Sequence, residues 1–288
     1  MEEAVAAAVL YVDPSRTTNV GYLGLLHCVN HQETLERFWA AAQEILLELG
    51  CRRVIGPAGL SPGLPMGALQ NYFHVSPPLH TPYNSPYLPE LLESLFDPVG
   101  ESDLYHYTLP TAATVTAGVA QIEPFDPARL AGDLLPLFLA GLEQGDELGM
   151  PRANEVHFML DWLDIVPFHA LLATVGGEHT GFVLLQPDAA SLLHQTGGGR
   201  NLAARGWLAW RRRHPARSGR LLYGGVLPAW RGQGIGGQLW GAVQHFARQQ
   251  GWQSLTIGPV RRASPAACFL TRRGAERRQR YVVYGAEV

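Results

Sequence analysis

The sequence predicts an α/β protein, a mixed central sheet flanked by helices, built from two related units of which the first is partial. Three observations carry that expectation. Two segments far apart in the chain read alike: an amphipathic helix, a glycine, and a short β-rich stretch reaching Gly-Pro. Both units then close on an aromatic strand, Leu104–Tyr107 in one and Tyr281–Tyr284 in the other. With 288 residues, 47% hydrophobic and 16% charged, the chain is long enough for about two domains and apolar enough to bury a core in each.

Taken in order, the first helix places Leu35, Phe38, Trp39, Ala42, Ile45, Leu46 and Leu49 on one stripe. Gly50 stands where a helix ends in a left-handed residue. A strand follows in Cys51–Pro57, broken by Gly56-Pro57. Periodicity stops in Pro110–Gly118, so the boundaries fall at 1–112 and 118–288. Asp126-Pro127 then starts a helix whose stripe is Leu130, Leu134, Leu137, Phe138 and Leu142. Strands are expected at 169–175 and 180–186 about the turn Gly176-Gly177, and at 220–227. The second copy of the helix carries Ile235, Leu239, Val243, Phe246 and Ala247 inward and ends at Gly251. Its strand is Trp252–Pro259, and a last helix spans 264–274.

Composition narrows the function. No apolar run approaches the ~18 residues of a membrane span, the N-terminus is acidic, and the three cysteines are widely spaced, so a cytoplasmic protein without metal or disulfide framework is expected. All 22 basic residues are arginine, which excludes a P-loop lysine, a lysine Schiff base and a lysine nucleophile. The net charge of −3 hides an asymmetry: residues 200–280 carry 16 Arg against one acid, whereas 1–117 carry 4 Arg and 12 acids. Such a local excess calls for a polyanion unless acidic and basic segments fold against each other. Overall acidity and the lack of a recognition motif disfavour nucleic acid, and a homodimer is left open. Gly59-Leu60-Ser61-Pro62-Gly63 matches a nucleophile elbow, but the prolines and glycines that follow forbid its helix. His27 and Cys28 fall on opposite faces of a strand, which argues against a metal pair.

The sharpest feature is Arg231-Gly232-Gln233-Gly234-Ile235-Gly236-Gly237, set between a strand and a helix. Glycines let a ligand approach the backbone, and the helix start offers unpaired N–H groups and a positive dipole end to a pyrophosphate. A dinucleotide site wants an acid about 20 residues on, and residues 250–262 hold none. Arg261 and Arg262 could still serve a phosphorylated dinucleotide, and coenzyme A is the third candidate. The loop resembles the R-x-x-G-x-G motif of the Gcn5-related N-acetyltransferase (GNAT) superfamily, and Val226-Leu227-Pro228-Ala229-Trp230 resembles the strand end that precedes it there. Pro82-Tyr83-Asn84-Ser85-Pro86-Tyr87, Asp103-Leu104-Tyr105, Asp161-Trp162 and Gln186-Pro187-Asp188 are similar to a group of bacterial tandem GNAT-like proteins.

That resemblance implies a tandem GNAT-like fold, acetyl-CoA as acyl donor, an unidentified small or peptidic amine as acceptor, and acyl transfer in the second copy. A CoA-binding or scaffolding protein without catalysis is the alternative. The resemblance assigns the cofactor to Val226, Leu227, Arg231, Gly232, Gln233, Gly234, Ile235, Gly236 and Gly237, with a backbone N–H of Val226 or Leu227 polarising the thioester carbonyl. Catalytic side chains stay unassigned. The usual base position falls at Arg220 or Leu221 and the usual acid position at Leu270, with Tyr223, Tyr281, Glu155, Asp161 and Asp164 as substitutes. The first copy has Val29–Leu35 where a cradle would lie, with no glycine and an acid, and is expected not to hold a pyrophosphate.

Overall fold

A computed structural model describes residues 5–13, 19–59, 66–111, 118–125, 135–141, 168–195, 206 and 216–288. Its strands are β1 (Ala6–Val12), β2 (Val20–Cys28), β3 (Arg53–Ala58), β4 (Ala68–Leu69), β5 (Asp97–Thr108), β6 (Gln121–Pro124), β7 (His169–Val175), β8 (Glu178–Pro187), β9 (Ser218–Val226), β10 (Ser254–Arg261) and β11 (Glu276–Glu287). The helices are α1 (Gln32–Glu48), α2 (Leu88–Glu93), α3 (Leu135–Gly141), α4 (Ala190–Gln195), α5 (Ile235–Gln249) and α6 (Pro265–Arg272). No described helix is long and apolar enough to cross a membrane. The expected helix start at Asp126-Pro127, the Ser61 elbow and the acids Glu155, Asp161 and Asp164 lie outside the described residues.

All strands join one sheet in the order β1-β2-β3-β11-β5-β10-β9-β8-β7-β6, with β4 on β11. From β1 to β8 the order is palindromic, and β7 and β6 extend it on one side. β1-β2-α1-β3-α2-β5 repeats as β8-β9-α5-β10-α6-β11, and the parallel pair β2/β3 answers the parallel pair β9/β10. The last strand of each unit is exchanged: β11 lies against β3, and β5 lies against β10. β5 and β11 also pair with each other at the centre, antiparallel.

The exchange extends into the cores. Tyr105 and Tyr107 of β5 pack with Leu239, Trp240, Val243 and Leu255, the Tyr107 and Trp240 rings meeting edge-on at 4.8 Å. Val282 and Tyr284 of β11 pack in return with Trp39, Ala42, Leu46 and Phe96. Each such buried side chain is worth about 1.5–3 kcal/mol relative to exposure. The helical stripes form largely as periodicity requires. α1 buries Leu35, Trp39, Ala42 and Leu46, but Ile45 and Leu49 face solvent, because a single sheet face covers only a narrow arc of that helix. Gly50 and Gly251 end their helices with φ of 77° and 74°. The strands expected to break at Gly-Pro run through it: Gly56-Pro57 lies within β3 and Gly258-Pro259 within β10.

The charge asymmetry resolves in part at the central strand pair. Asp103 of β5, buried, accepts Nε and Nη2 of Arg262 at 3.0 and 3.2 Å. Glu101 accepts Arg262 Nη1 and Arg280 Nη2, each at 2.6 Å. Acids of the first unit thus hold arginines of the second, and the bond to Asp103 raises the Arg262 pKa.

Asp103→Ala should cost about 1.5–3 kcal/mol, the usual worth of charge-assisted hydrogen bonds, seen as a lower urea midpoint. Because the sheet is shared, tryptophan fluorescence and circular dichroism should report one coincident transition. Residues 1–112 expressed alone should show no native amide dispersion in NMR spectra, since β5 would expose both edges.

Candidate functional site

β9 ends at Val226, a 3₁₀ turn spans Pro228–Trp230, and Gly232 and Gly234 turn the chain into α5 with φ of 80° and 83°. A side chain is strained at such angles, so these two glycines are conformational requirements. The N–H groups of Gly237 and Gln238 bond the Gly234 carbonyl at 2.9 and 3.2 Å. The N–H groups of Ile235 and Gly236 precede any intrahelical acceptor and stand at the positive end of a 15-residue helix with no acid in its first turn. A Cβ built on Gly236 meets nothing within 4 Å, so the space before these donors is open. Arg231 sends Nε to the Val226 carbonyl at 3.0 Å and ties the loop to the strand end. The residues singled out by sequence, Val226, Leu227 and Arg231–Gly237, therefore gather at one end of β9.

The same strand end faces a fork. β9 and β10 pair in parallel only from Ser218/Ser254 to Leu221/Ile257. Beyond that point β9 stays on β8 as far as Gly181/Val226, after a bulge that skips Leu222. The Leu227 N–H donates to the Thr180 carbonyl at 2.9 Å. Gly181/Val226 is therefore a non-hydrogen-bonded pair of the antiparallel ladder, with the Val226 N–H and C=O turned away from β8, toward the fork. Alternation turns the groups of Gly224 the same way. Of the two expected carbonyl-polarising donors, Leu227 is committed to β8 and Val226 faces the open side.

Side chains around the fork are poor bases. Arg220 is buried, donating Nη1 to the Leu79 carbonyl and Nη2 to the Gly258 carbonyl at 3.1 Å. Burial pulls its pKa down to about 10, against the opposing charge of Asp188. Burial pushes the hydroxyls of Tyr223 and Tyr281 up to about 12. His80, brought in by the first unit, is pulled down to about 4, by burial first and by Arg220 second. At neutral pH the ring is uncharged and both phenols are protonated. Leu270 is buried in the core and supplies no acid. The sequence held no signal for His80, because its place beside Arg220 is made only by the fold.

The first unit lacks each of these features. His31 stands before α1 with Nδ1 3.0 Å from the Thr34 hydroxyl, and Glu33 lies in the first turn. β2 and β3 stay paired as far as Gly24/Ala58. His27 is exposed and Cys28 buried, on opposite faces as alternation requires.

The fold is that of tandem GNAT proteins. It matches a tandem GNAT protein from the clavulanic acid biosynthesis pathway with a TM-score of 0.61 at 11% identity, over 98% of this chain and 79% of that one. It matches a GCN5-related N-acetyltransferase from Sphaerobacter thermophilus with a TM-score of 0.57 at 15% identity, over 99% of this chain and 77% of that one. Residues 147–275 match the model of the acetyltransferase (GNAT) family. No curated protein sequence matches the chain.

His80 carries a testable pH signature. Its folded pKa of about 4 lies below the ordinary 6.5, so its contribution to stability is present above pH 6.5 and is lost as pH falls toward 4. The urea midpoint should therefore fall between pH 6.5 and 4.5, and His80→Gly should flatten part of that fall.

Proposed function

We propose that the protein is an acyl-CoA-dependent N-acyltransferase that moves an acetyl group from acetyl-CoA to a small or peptidic amine in the cytoplasm. In this reading residues 118–288 form the complete, CoA-binding unit and residues 1–112 a degenerate one. The observation that carries it is the alignment of two features along one strand. The Gly224 backbone groups and the Val226 N–H, turned toward the fork, lead directly to the N–H groups of Ile235 and Gly236. A pantetheine arm lying along that edge as a surrogate strand delivers its pyrophosphate to the start of α5, beside Arg231.

The chemistry then needs little from side chains. The amine nitrogen attacks the thioester carbonyl carbon while the Val226 N–H stabilises the developing oxyanion. The tetrahedral carbon expels the thiolate, whose ordinary pKa of about 8.5 lets it leave without an acid. The amine proton passes to water, since Arg220 holds no acceptor lone pair, both tyrosines are protonated, and His80, pulled down to about 4, is too weak a base to hold it. Holding amine and thioester together supplies the remaining acceleration.

Gly236→Val is the informative variant. Its φ is ordinary and its Cβ meets open space, so the fold should tolerate it, whereas Gly234→Val would strain a residue at φ 83°. Calorimetric titration with acetyl-CoA should show affinity lost at least a hundredfold in Gly236→Val. Arg231→Ala should lose about 1.5–3 kcal/mol, roughly ten- to a hundredfold. Gln32→Val in the first unit should change nothing. Thiol release over an amine panel should name the acceptor. Unchanged affinity in Gly236→Val would overturn the reading.

A further inference from the structure

The first unit has no cradle, yet one of its loops reaches the fork of the second. Residues 70–87 leave β4 anchored to β11. The Gln70 N–H donates to the Arg280 carbonyl at 2.8 Å, and the Arg280 N–H donates to Asn71 Oδ1 at 2.8 Å. Gln279 Nε2 reaches the Val75 carbonyl at 3.4 Å. On the return, Asn84 accepts from the Leu69 N–H at 2.6 Å and donates to its carbonyl at 3.2 Å. The loop is thus stapled at its base. Its tip, Leu79–Thr81, lies against Arg220 and Tyr281.

The face on which this tip sits decides its meaning. A thioester carbonyl at Val226 can be attacked from either side of the sheet. The α5 side is filled by Leu221, Ile235, Leu239, Val243 and Ile257, all buried. The opposite face is apolar where α3 covers it, at Phe138, Phe182, Leu184 and Leu222, but it also carries the polar groups of Arg220 and Tyr223, and a polar amine is assigned to that side. A Cβ on Gly219 would strike the Trp252 ring on the α5 side, so Arg220, the next residue, points to the amine side. Its planar guanidinium spans two carbonyls at once. Gly258 is the first residue of β10 past the last pair with β9, and Leu79 belongs to the first unit. Among the described residues its Nε is buried without a hydrogen-bond partner, so the two Nη contacts carry its hydrogen bonding. A lysine ammonium, a single point of charge, cannot reproduce that fork-shaped reach.

We propose that Arg220 is a positioning residue that latches the Leu79–Thr81 tip over the amine side of the fork, so that the first unit walls the acceptor site of the second. The wall sets the His80 ring beside the Arg220 guanidinium, whose fixed positive charge disfavours a cationic amine there. This assignment rests on the acyltransferase reading.

The test uses the full chain and two variants. In Arg220→Lys, hydrogen exchange of amides 79–82 should quicken at least tenfold, with α1 and α5 unchanged. Acetyl-CoA affinity should stay within threefold, and KM for the best amine of the panel should rise at least tenfold while kcat stays within threefold. His80→Gly should fold, because its φ of 62° suits glycine, and should keep slow exchange at the tip while changing the ranking of amines. Unchanged exchange at 79–82 in Arg220→Lys would overturn the latch. Unchanged amine KM and ranking in both variants would overturn the wall. If the wild type binds acetyl-CoA but releases no thiol with any amine, the acyltransferase reading fails and the wall with it, while the exchange result still decides the latch.

Discussion

The exchange of β5 and β11 is the constraint on which the rest of the molecule depends, because it is what holds the fork open. β10 lies between two neighbours, β9 and β5. Its pairing with β9 stops at Ile257, but its pairing with β5 resumes past Gly258-Pro259 and runs on to Arg261/Ser102. Beyond Ile257, β10 therefore follows a strand of the first unit and leaves its own. Arg262, the next residue, is held by Asp103 and Glu101 of that same strand. The free edge of β9 is thus a consequence of pairing and charge on the far side of β10. A unit that kept its own last strand would need another means to pull the two strands apart.

Electrostatics around the fork follow the same logic of burial. Tyr223, Tyr281 and His80 are neutral there, and Arg220, the one buried cation among the described residues, donates to two carbonyls. The Val226 N–H, by contrast, is oriented by the β8–β9 ladder itself, and under the proposed acyl transfer it is this backbone dipole that would polarise the thioester. This arrangement suits a reaction whose leaving group departs as a stable anion and whose nucleophile arrives already neutral.

How much of this was legible in the sequence depended on range. The glycine-rich loop, the two matched helices and the aromatic end strands are local patterns, and all formed where periodicity and turn chemistry place them. The short strands β1 and β6 were not legible: seven and four residues of mixed burial carry too weak an alternation. The exchange was invisible because strand pairing is set by long-range packing, here the aromatic contacts of Tyr107 and Tyr284 with the opposite unit. The choice between Val226 and Leu227 had the same origin. Both belong to one strand end, and only the register with Thr180 and Gly181 tells which N–H is free to face the fork. His80 and Leu79 lie in a proline-rich loop with no periodic signal, and nothing but the assembled sheet brings them to Arg220.

The two units also show how one architecture can carry a site or close it. In the first, β2 and β3 remain paired to Gly24/Ala58, and the Cβ position of Gly56 lies 2.6 Å from the Leu23 carbonyl, so no chain can lie between the strands. What is left is an apolar void of about 10 Å³ lined by Leu23, Val54, Gly56, Leu92, Phe96 and Tyr284, about the room one water would need. Tyr284 belongs to the exchanged strand of the other unit, so the same exchange that opens the second fork helps to fill the first. The closed unit is therefore not dispensable. It donates β5, which draws β10 away from β9, and it accepts β11, whose aromatic face completes its own core. The two edges of β3 are thus covered differently: β2 closes one, and β11 of the other unit covers the other.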